Sequence, residues 1–165
     1  MRFRSPSSRE TREAARRLGV AIEAVPETRA IALVIGLAGP LGAGKTEWVK
    51  GLAEGLGVAG ELVASPTFVI ASEYPGGRPL AHVDFYRLES EGELEAAGFV
   101  DLLDPGRVVA VEWADRFPDA LPEERIEVRI ARGVEEPETQ REVEVVARGP
   151  IAARVLERFE REMKV

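Results

Sequence analysis

Ile31-Ala32-Leu33-Val34-Ile35-Gly36-Leu37-Ala38, followed at once by Gly39-Pro40-Leu41-Gly42-Ala43-Gly44-Lys45-Thr46, is the stretch on which the fold turns. Eight successive apolar residues with β-branched members mark a strand buried on both faces, and such strands belong to parallel sheets. The next eight fit the phosphate-binding loop pattern of two spaced glycines, then a lysine, then a hydroxyl residue. Beyond them Trp48, Val49, Leu52, Ala53 and Leu56 fall at helical spacing, with Gly57 where a C-terminal cap belongs. The unit is therefore strand, glycine loop, helix.

Each part of that unit has a physical task. Gly39, Gly42 and Gly44 let successive backbone N–H groups, including those of Leu41 and Ala43, turn inward on an anion without Cβ clashes. The helix that follows points its positive end at the same anion, Lys45 reaches β- and γ-phosphate oxygens, and the Thr46 hydroxyl ligates magnesium. The expected ligands are ATP or ADP with Mg²⁺.

Outward from this unit, the chain alternates. Ser8 followed by Glu10 to Leu18 reads as a capped helix running to about residue 24, acidic early and arginine-rich late, and Pro26 to Arg29 as a turn. Thr67 to Glu73, Leu80 to Tyr86 and Arg107 to Trp113 read as strands, and Glu91 to Ala97 as a short helix. Arg125 to Ala131 and Glu142 to Ala147 have strict period two and form an expected antiparallel pair joined by the polar loop Gly133 to Gln140. From Pro150, the stripe Ile151, Val155, Leu156, Phe159 and Met163 predicts a final helix packed on the rest of the chain. The expected fold is α/β, a three-layer P-loop NTPase-like arrangement in one domain over residues 1–165. Its mixed sheet has a parallel core and an antiparallel C-terminal strand pair.

Composition excludes several chemistries. There is no cysteine and one histidine, His82, so thiol catalysis, disulfides and multi-histidine metal centres are out. Carboxylates and hydroxyls remain as metal donors, which favours magnesium. A net charge of −7 argues against a free-standing nucleic-acid binder. The longest charge-free apolar stretch, Ala30 to Leu41, falls far short of the ~20 residues a membrane span needs. The arginine-rich start lacks a signal-peptide core, and the expected location is the cytoplasm.

Two carboxylates end apolar strands and could complete a magnesium site, Asp84 and Glu112, and spacing alone does not choose between them. His82 on an alternating strand reads as a satisfied structural histidine rather than a catalytic base, Trp48 as helix packing, and Phe85 and Tyr86 as core or rim packing rather than base-stacking groups. Arg87 and Arg116 read as solvated arginines rather than arginine fingers, being two among 19.

Together with the phosphate loop, the runs Gly51-Leu52-Ala53-Glu54-Gly55-Leu56-Gly57, Ser65-Pro66-Thr67-Phe68, Glu73-Tyr74, His82-Val83-Asp84-Phe85-Tyr86-Arg87-Leu88 and Val111-Glu112-Trp113-Ala114-Asp115-Arg116 resemble the TsaE (YjeE) family in matching order. These are small bacterial ATPases of the pathway that makes N6-threonylcarbamoyladenosine at position 37 of tRNAs reading ANN codons. The resemblance implies that Lys45 and Thr46 contact nucleotide and magnesium, that Asp84 is a carboxylate on the magnesium, directly or through an intervening group, and that Glu112 and Trp113 lie beside the γ-phosphate. It implies a switch-like loop at Ser65 to Phe68, with Thr67 near the γ-phosphate and metal. It also implies partners, the TsaB and TsaD proteins, with tRNA met only through the complex. Two positions depart from the family. Pro40 stands where Asp is usual. Glu47 stands where a second hydroxyl residue is usual, and it either points away from phosphate or weakens the α-phosphate contact.

The rival reading is a P-loop small-molecule kinase, which needs an acceptor pocket and an arginine-bearing lid; Pro75-Gly76-Gly77-Arg78 is too short and glycine-rich for one. A third is a nucleotide-binding module without turnover. A regulatory GTPase is excluded, because guanine reading by Asn-Lys-x-Asp needs an asparagine and the chain has none.

Overall fold

The computed structural model describes residues 1–66, 70–133 and 140–165. Within them a seven-stranded sheet is built from β1 (Arg2–Ser5), β2 (Leu33–Ala38), β3 (Ala71–Tyr74), β4 (Leu80–Asp84), β5 (Val108–Glu112), β6 (Arg125–Arg132) and β7 (Arg141–Arg148). Four α-helices accompany it: α1 (Ser8–Glu23), α2 (Lys45–Gly55), α3 (Glu91–Ala96) and α4 (Pro150–Lys164). The strand order is β1-β7-β6-β2-β5-β4-β3. β6, β2, β5 and β4 run parallel, while β3 joins one edge antiparallel and β7 and β1 extend the other by antiparallel pairing. This is the expected α/β sheet with a parallel core and an antiparallel β6–β7 pair.

The apolar run around β2 forms the central strand because both of its faces are covered. Leu33, Ile35 and Leu37 pack into a core with α1, α2 and α4, whereas Val34 joins a second core with Val109, Val111, Phe85, Leu94 and Phe99 on the opposite face. The layer on that opposite face is thinner, made of α3 and the 3-10 turns Phe99–Leu102 and Ala114–Arg116. Each fully buried side chain of this kind stabilises the fold by ~1.5–3 kcal/mol. Among the described residues, no helix is long and apolar enough to cross a membrane.

α1 and α2 approach so closely that glycine is required where they cross. A Cβ on Gly51 would lie 2.0 Å from Arg12 O, and one on Gly55 would lie 2.1 Å from Arg16 O. The pairing brings the phosphate-loop helix hard against α1 and fixes where its first turn points. Gly39 is held by a similar approach from the sheet, because a Cβ there would meet Ile130 O of β6 at 2.2 Å.

Several details differ from the sequence reading. Ser7, one residue before the expected cap, caps α1 by accepting from Glu10 N at 3.2 Å. Arg12, Arg16 and Arg17 of α1 sit mid-helix rather than in the last turn, paired to Glu13 and Glu54. The guanidinium of Arg16, above all, holds the Glu13 carboxyl down at about 2. The arginine-rich start contains a strand, β1, whose Phe3 packs 6.5 Å from Trp48 and 6.4 Å from Phe159 between ring centres. Arg78 of the glycine turn is fully buried, donating to Gly106 O at 3.0 Å and to Thr28 O at 2.6 Å. β3 is described only from Ala71, and the expected start of that strand, residues 67–69, lies outside the described residues, as does most of the loop from Gly133 to Gln140.

Candidate functional site

The carboxyl ends of β2, β4 and β5 meet beside the first turn of α2, and this is where an open α/β sheet binds its ligands. A cleft of about 410 Å³ opens there, lined by Leu41 to Glu47 of the loop and first turn, and by Asp84, Glu112 and Trp113 from the strand ends. Gly44 turns into α2 with φ of 106° and leaves the helix start without a side-chain cap, so its N–H groups are available to an anion.

Lys45 folds back over the loop, its Nζ donating to Gly39 O at 2.6 Å and to Pro40 O at 2.9 Å. The same Nζ lies 4.0 Å from the centre of the Trp113 ring. Burial pushes this ammonium below the ordinary lysine range, opposed by the negative charges of Glu112, Asp84 and Asp115. Thus one buried cation is balanced against the strand-end carboxylates in the space a polyphosphate would enter.

Thr46 Oγ1 donates to Glu112 Oε1 at 2.8 Å, and His82 Nε2 lies 2.9 Å from that same oxygen. Asp84 and Glu112 are Cα partners at the end of the β4–β5 ladder, and both are buried. Asp84 Oδ1 accepts from Tyr86 N at 2.8 Å, which fixes the turn leaving β4. The donor set of one hydroxyl and two carboxylates is hard oxygen throughout, and it fits magnesium, which takes one or two protein carboxylates and fills its octahedron with phosphate oxygens and water. Among the described residues, no cluster of three His, Asp or Glu side chains could hold a metal by itself.

Trp113, the residue that follows β5, has φ of 57°, the only non-glycine positive φ among the described residues. For a bulky side chain this backbone is strained, and such strain collects at functional sites. It turns the indole to Lys45 on one side and to Tyr86, 5.0 Å away between ring centres, on the other. Glu47 lines the cleft but is paired to Lys50 Nζ at 2.6 Å, which offsets the repulsion its carboxylate would exert on phosphate.

The structure thus brings together Leu41, Gly42, Ala43, Gly44, Lys45, Thr46, Glu47, Asp84, Glu112 and Trp113, while Gly39 contributes its carbonyl to Lys45. Thr67 and Phe68 lie outside the described residues; Ser65, just before them, lines the cleft. Arg87 and Arg116 do not line it, and Arg116 is tied to Leu88 O at 2.8 Å. Trp48 and Phe85 are core residues and Tyr86 is on the rim, as read. His82, read as a satisfied structural histidine, is buried, but its Nδ1 has no partner among the described residues and its Nε2 touches the acid of the site.

Ser8, Thr11 and Arg141 also line the cleft, and sequence reasoning missed them. Arg141 Nε donates to Ala43 O at 2.9 Å, and Arg132, its register partner on β6, reaches Leu41 O at 3.4 Å. The family model described as "Threonylcarbamoyl adenosine biosynthesis protein TsaE" matches residues 5–143. The chain belongs to the TsaE family. Relatives named tRNA threonylcarbamoyladenosine biosynthesis protein TsaE include that of Bacillus subtilis (strain 168), 43% identical over 117 residues, which are 70% of each chain. That of Streptomyces coelicolor is 47% identical over 102 residues, 59% of this chain and 68% of the relative. That of Haemophilus influenzae is 33% identical over 129 residues, 78% of each. The crystal structure of YdiB from Bacillus subtilis superposes with a TM-score of 0.71 at 32% identity, covering 99% of this chain and 95% of that one. The TsaE match extends past Glu142, so Arg141 and all of β6 fall inside the matched span. α4 lies beyond that span, and its Val155 and Phe159 are buried in the core shared with α1.

Proposed function

We propose that this TsaE-family chain binds ATP with Mg²⁺ in the cleft and hydrolyses it to ADP and phosphate. Turnover serves formation of N6-threonylcarbamoyladenosine at position 37 of tRNAs reading ANN codons, in a cytoplasmic complex with TsaB and TsaD. The observation that carries this reading is the 2.8 Å hydrogen bond from Thr46 Oγ1 to Glu112 Oε1, which joins the phosphate-loop hydroxyl to a buried strand-end carboxylate.

The loop N–H groups and the start of α2 hold the β-phosphate, and Lys45 exchanges its contacts with Gly39 and Pro40 for β- and γ-phosphate oxygens. Thr46 and Asp84 would hold Mg²⁺, which when bound would supply charge neutralisation to the phosphate oxygens. Glu112, with Oε1 already engaged, orients the attacking water through its other oxygen. Trp113 closes the γ-phosphate side of the cleft. Following the family resemblance, Thr67 in the Ser65 to Phe68 loop reports the γ-phosphate, so that the nucleotide state biases docking to the partners. A chain of net charge −7 leaves capture of tRNA to those partners.

Titration calorimetry of MgATP against the parent chain and Lys45→Ala tests the binding half. The substitution should cost at least ~2 kcal/mol, about thirtyfold in affinity, because it removes a charge-assisted phosphate contact. Unchanged affinity would remove the cleft as the nucleotide site.

A further inference from the structure

His82 is the sole histidine of the chain and is fully buried. Its register partner on β5 is Ala110, and that small side chain leaves room for the imidazole to lie diagonally across the strand. Glu112 is two residues further along β5 on the same face, and Nε2 of His82 meets its Oε1 at 2.9 Å. Oε1 also accepts the Thr46 hydroxyl at 2.8 Å, so both contacts fall on one carboxylate oxygen.

The placement of the proton follows from the partners. A carboxylate oxygen only accepts, so the nitrogen facing it must carry the hydrogen. The other nitrogen, Nδ1, is buried with no hydrogen-bond partner among the described residues. Moving the proton there would bury an unsatisfied donor and turn a lone pair of Nε2 against the carboxylate, and both changes are unfavourable. An apolar side chain of similar volume would fill this core position without an orphaned nitrogen. What the imidazole adds is therefore the contact made by Nε2.

We infer that His82 is a positioning residue. In its Nε2–H tautomer it grips Glu112 Oε1 together with Thr46, fixes the carboxylate rotamer, and presents Oε2 to the attacking water. The inference rests on the ATPase reading for its consequence, but not for the contact itself. Two points, Thr46 from the phosphate-loop helix and His82 from the neighbouring strand, hold a group that would otherwise rotate about its side-chain bonds, and misplacement of such a group is costly to turnover.

Imidazole nitrogen NMR on the full chain tests the contact, and the single histidine makes the assignment unambiguous. The expected spectrum has a proton on Nε2 held in a hydrogen bond, moving upfield in Glu112→Ala. An Nε2 that carries no proton, or an Nε2 signal indifferent to Glu112→Ala, would overturn the inference. Steady-state kinetics tests the consequence through His82→Leu, which removes the donor, and His82→Gln, which returns an amide N–H at similar reach. The leucine variant should lose about tenfold or more in kcat with KM for ATP within about threefold, and the glutamine variant should recover to within about threefold of the parent kcat. Equal loss in both variants, or a loss confined to KM, contradicts a positioning role. A parent chain that hydrolyses no ATP even with its partners would end the ATPase reading and the positioning role with it, while the NMR result would still decide the His82–Glu112 contact.

Discussion

Asp84 and Glu112 are direct Cα partners at the last position of the parallel β4–β5 ladder, so two buried carboxylates stand side by side at the carboxyl edge of the sheet. Like charges this close repel, and the nearby ammonium of Lys45 offsets that only in part. A divalent cation would complete the balance. Their hydrogen bonds separate them: Glu112 is tied to Thr46 and His82, whereas Asp84 accepts from the backbone of Tyr86.

The first prediction follows from that difference. Asp84→Asn should weaken ATP binding in the presence of magnesium and leave magnesium-free binding nearly unchanged. Glu112→Gln should spare binding and lower kcat by about a hundredfold, the scale of a lost general-base contribution. Calorimetry with and without magnesium, beside phosphate-release assays, checks both. The opposite pattern would exchange the two roles.

Trp113 and Trp48 give a spectroscopic prediction. Trp113 lines the cleft with Lys45 Nζ 4.0 Å from its ring, while Trp48 is fully buried under α1 and β1. Nucleotide that draws Lys45 onto phosphate removes the cation from the indole face, so the fluorescence of Trp113 should change on adding ATP. The change should vanish in Trp113→Phe. A signal that survives this replacement undiminished places Trp113 away from the nucleotide.

The α1–α2 crossing predicts a sign that helix propensity alone would reverse. Alanine is the better helix former by ~1 kcal/mol, so on an exposed helix Gly55→Ala would stabilise. Here the added Cβ would lie 2.1 Å from Arg16 O. Overpacking of this kind costs about 1–3 kcal/mol, and thermal unfolding should show a melting temperature lower by roughly 3–10 °C. A neutral or raised melting temperature would mean that the helices separate without cost.

How much of this was legible in the sequence depends on the range of the interaction. β2, the phosphate loop and α2 were readable because their signals are local: an unbroken apolar run, fixed glycine spacing and a helical period. β6 and β7 were readable from strict alternation. β1 was not, because four residues with two arginines carry no pattern until Phe3 finds Trp48 and Phe159. Asp84 and Glu112 stood out singly as strand ends, but their adjacency is a matter of strand order and register that neither segment encodes by itself. Arg78 and Arg141 were lost among 19 arginines; one is a buried pin for Thr28 and the other a brace on Ala43 O, and only tertiary placement separates them from solvated neighbours.

The central claim, that this TsaE-family site hydrolyses ATP in service of a tRNA-modifying complex, is tested most directly by steady-state phosphate release from the chain alone and with the TsaB–TsaD pair. The account predicts slow release by the isolated chain and stimulation of about tenfold or more by the pair, worth ~1.4 kcal/mol or more of barrier. Thr67→Ala should reduce that stimulation more than it reduces ATP binding. Full activity of the isolated chain with no response to the pair, or stimulation by tRNA alone at physiological salt, would contradict it.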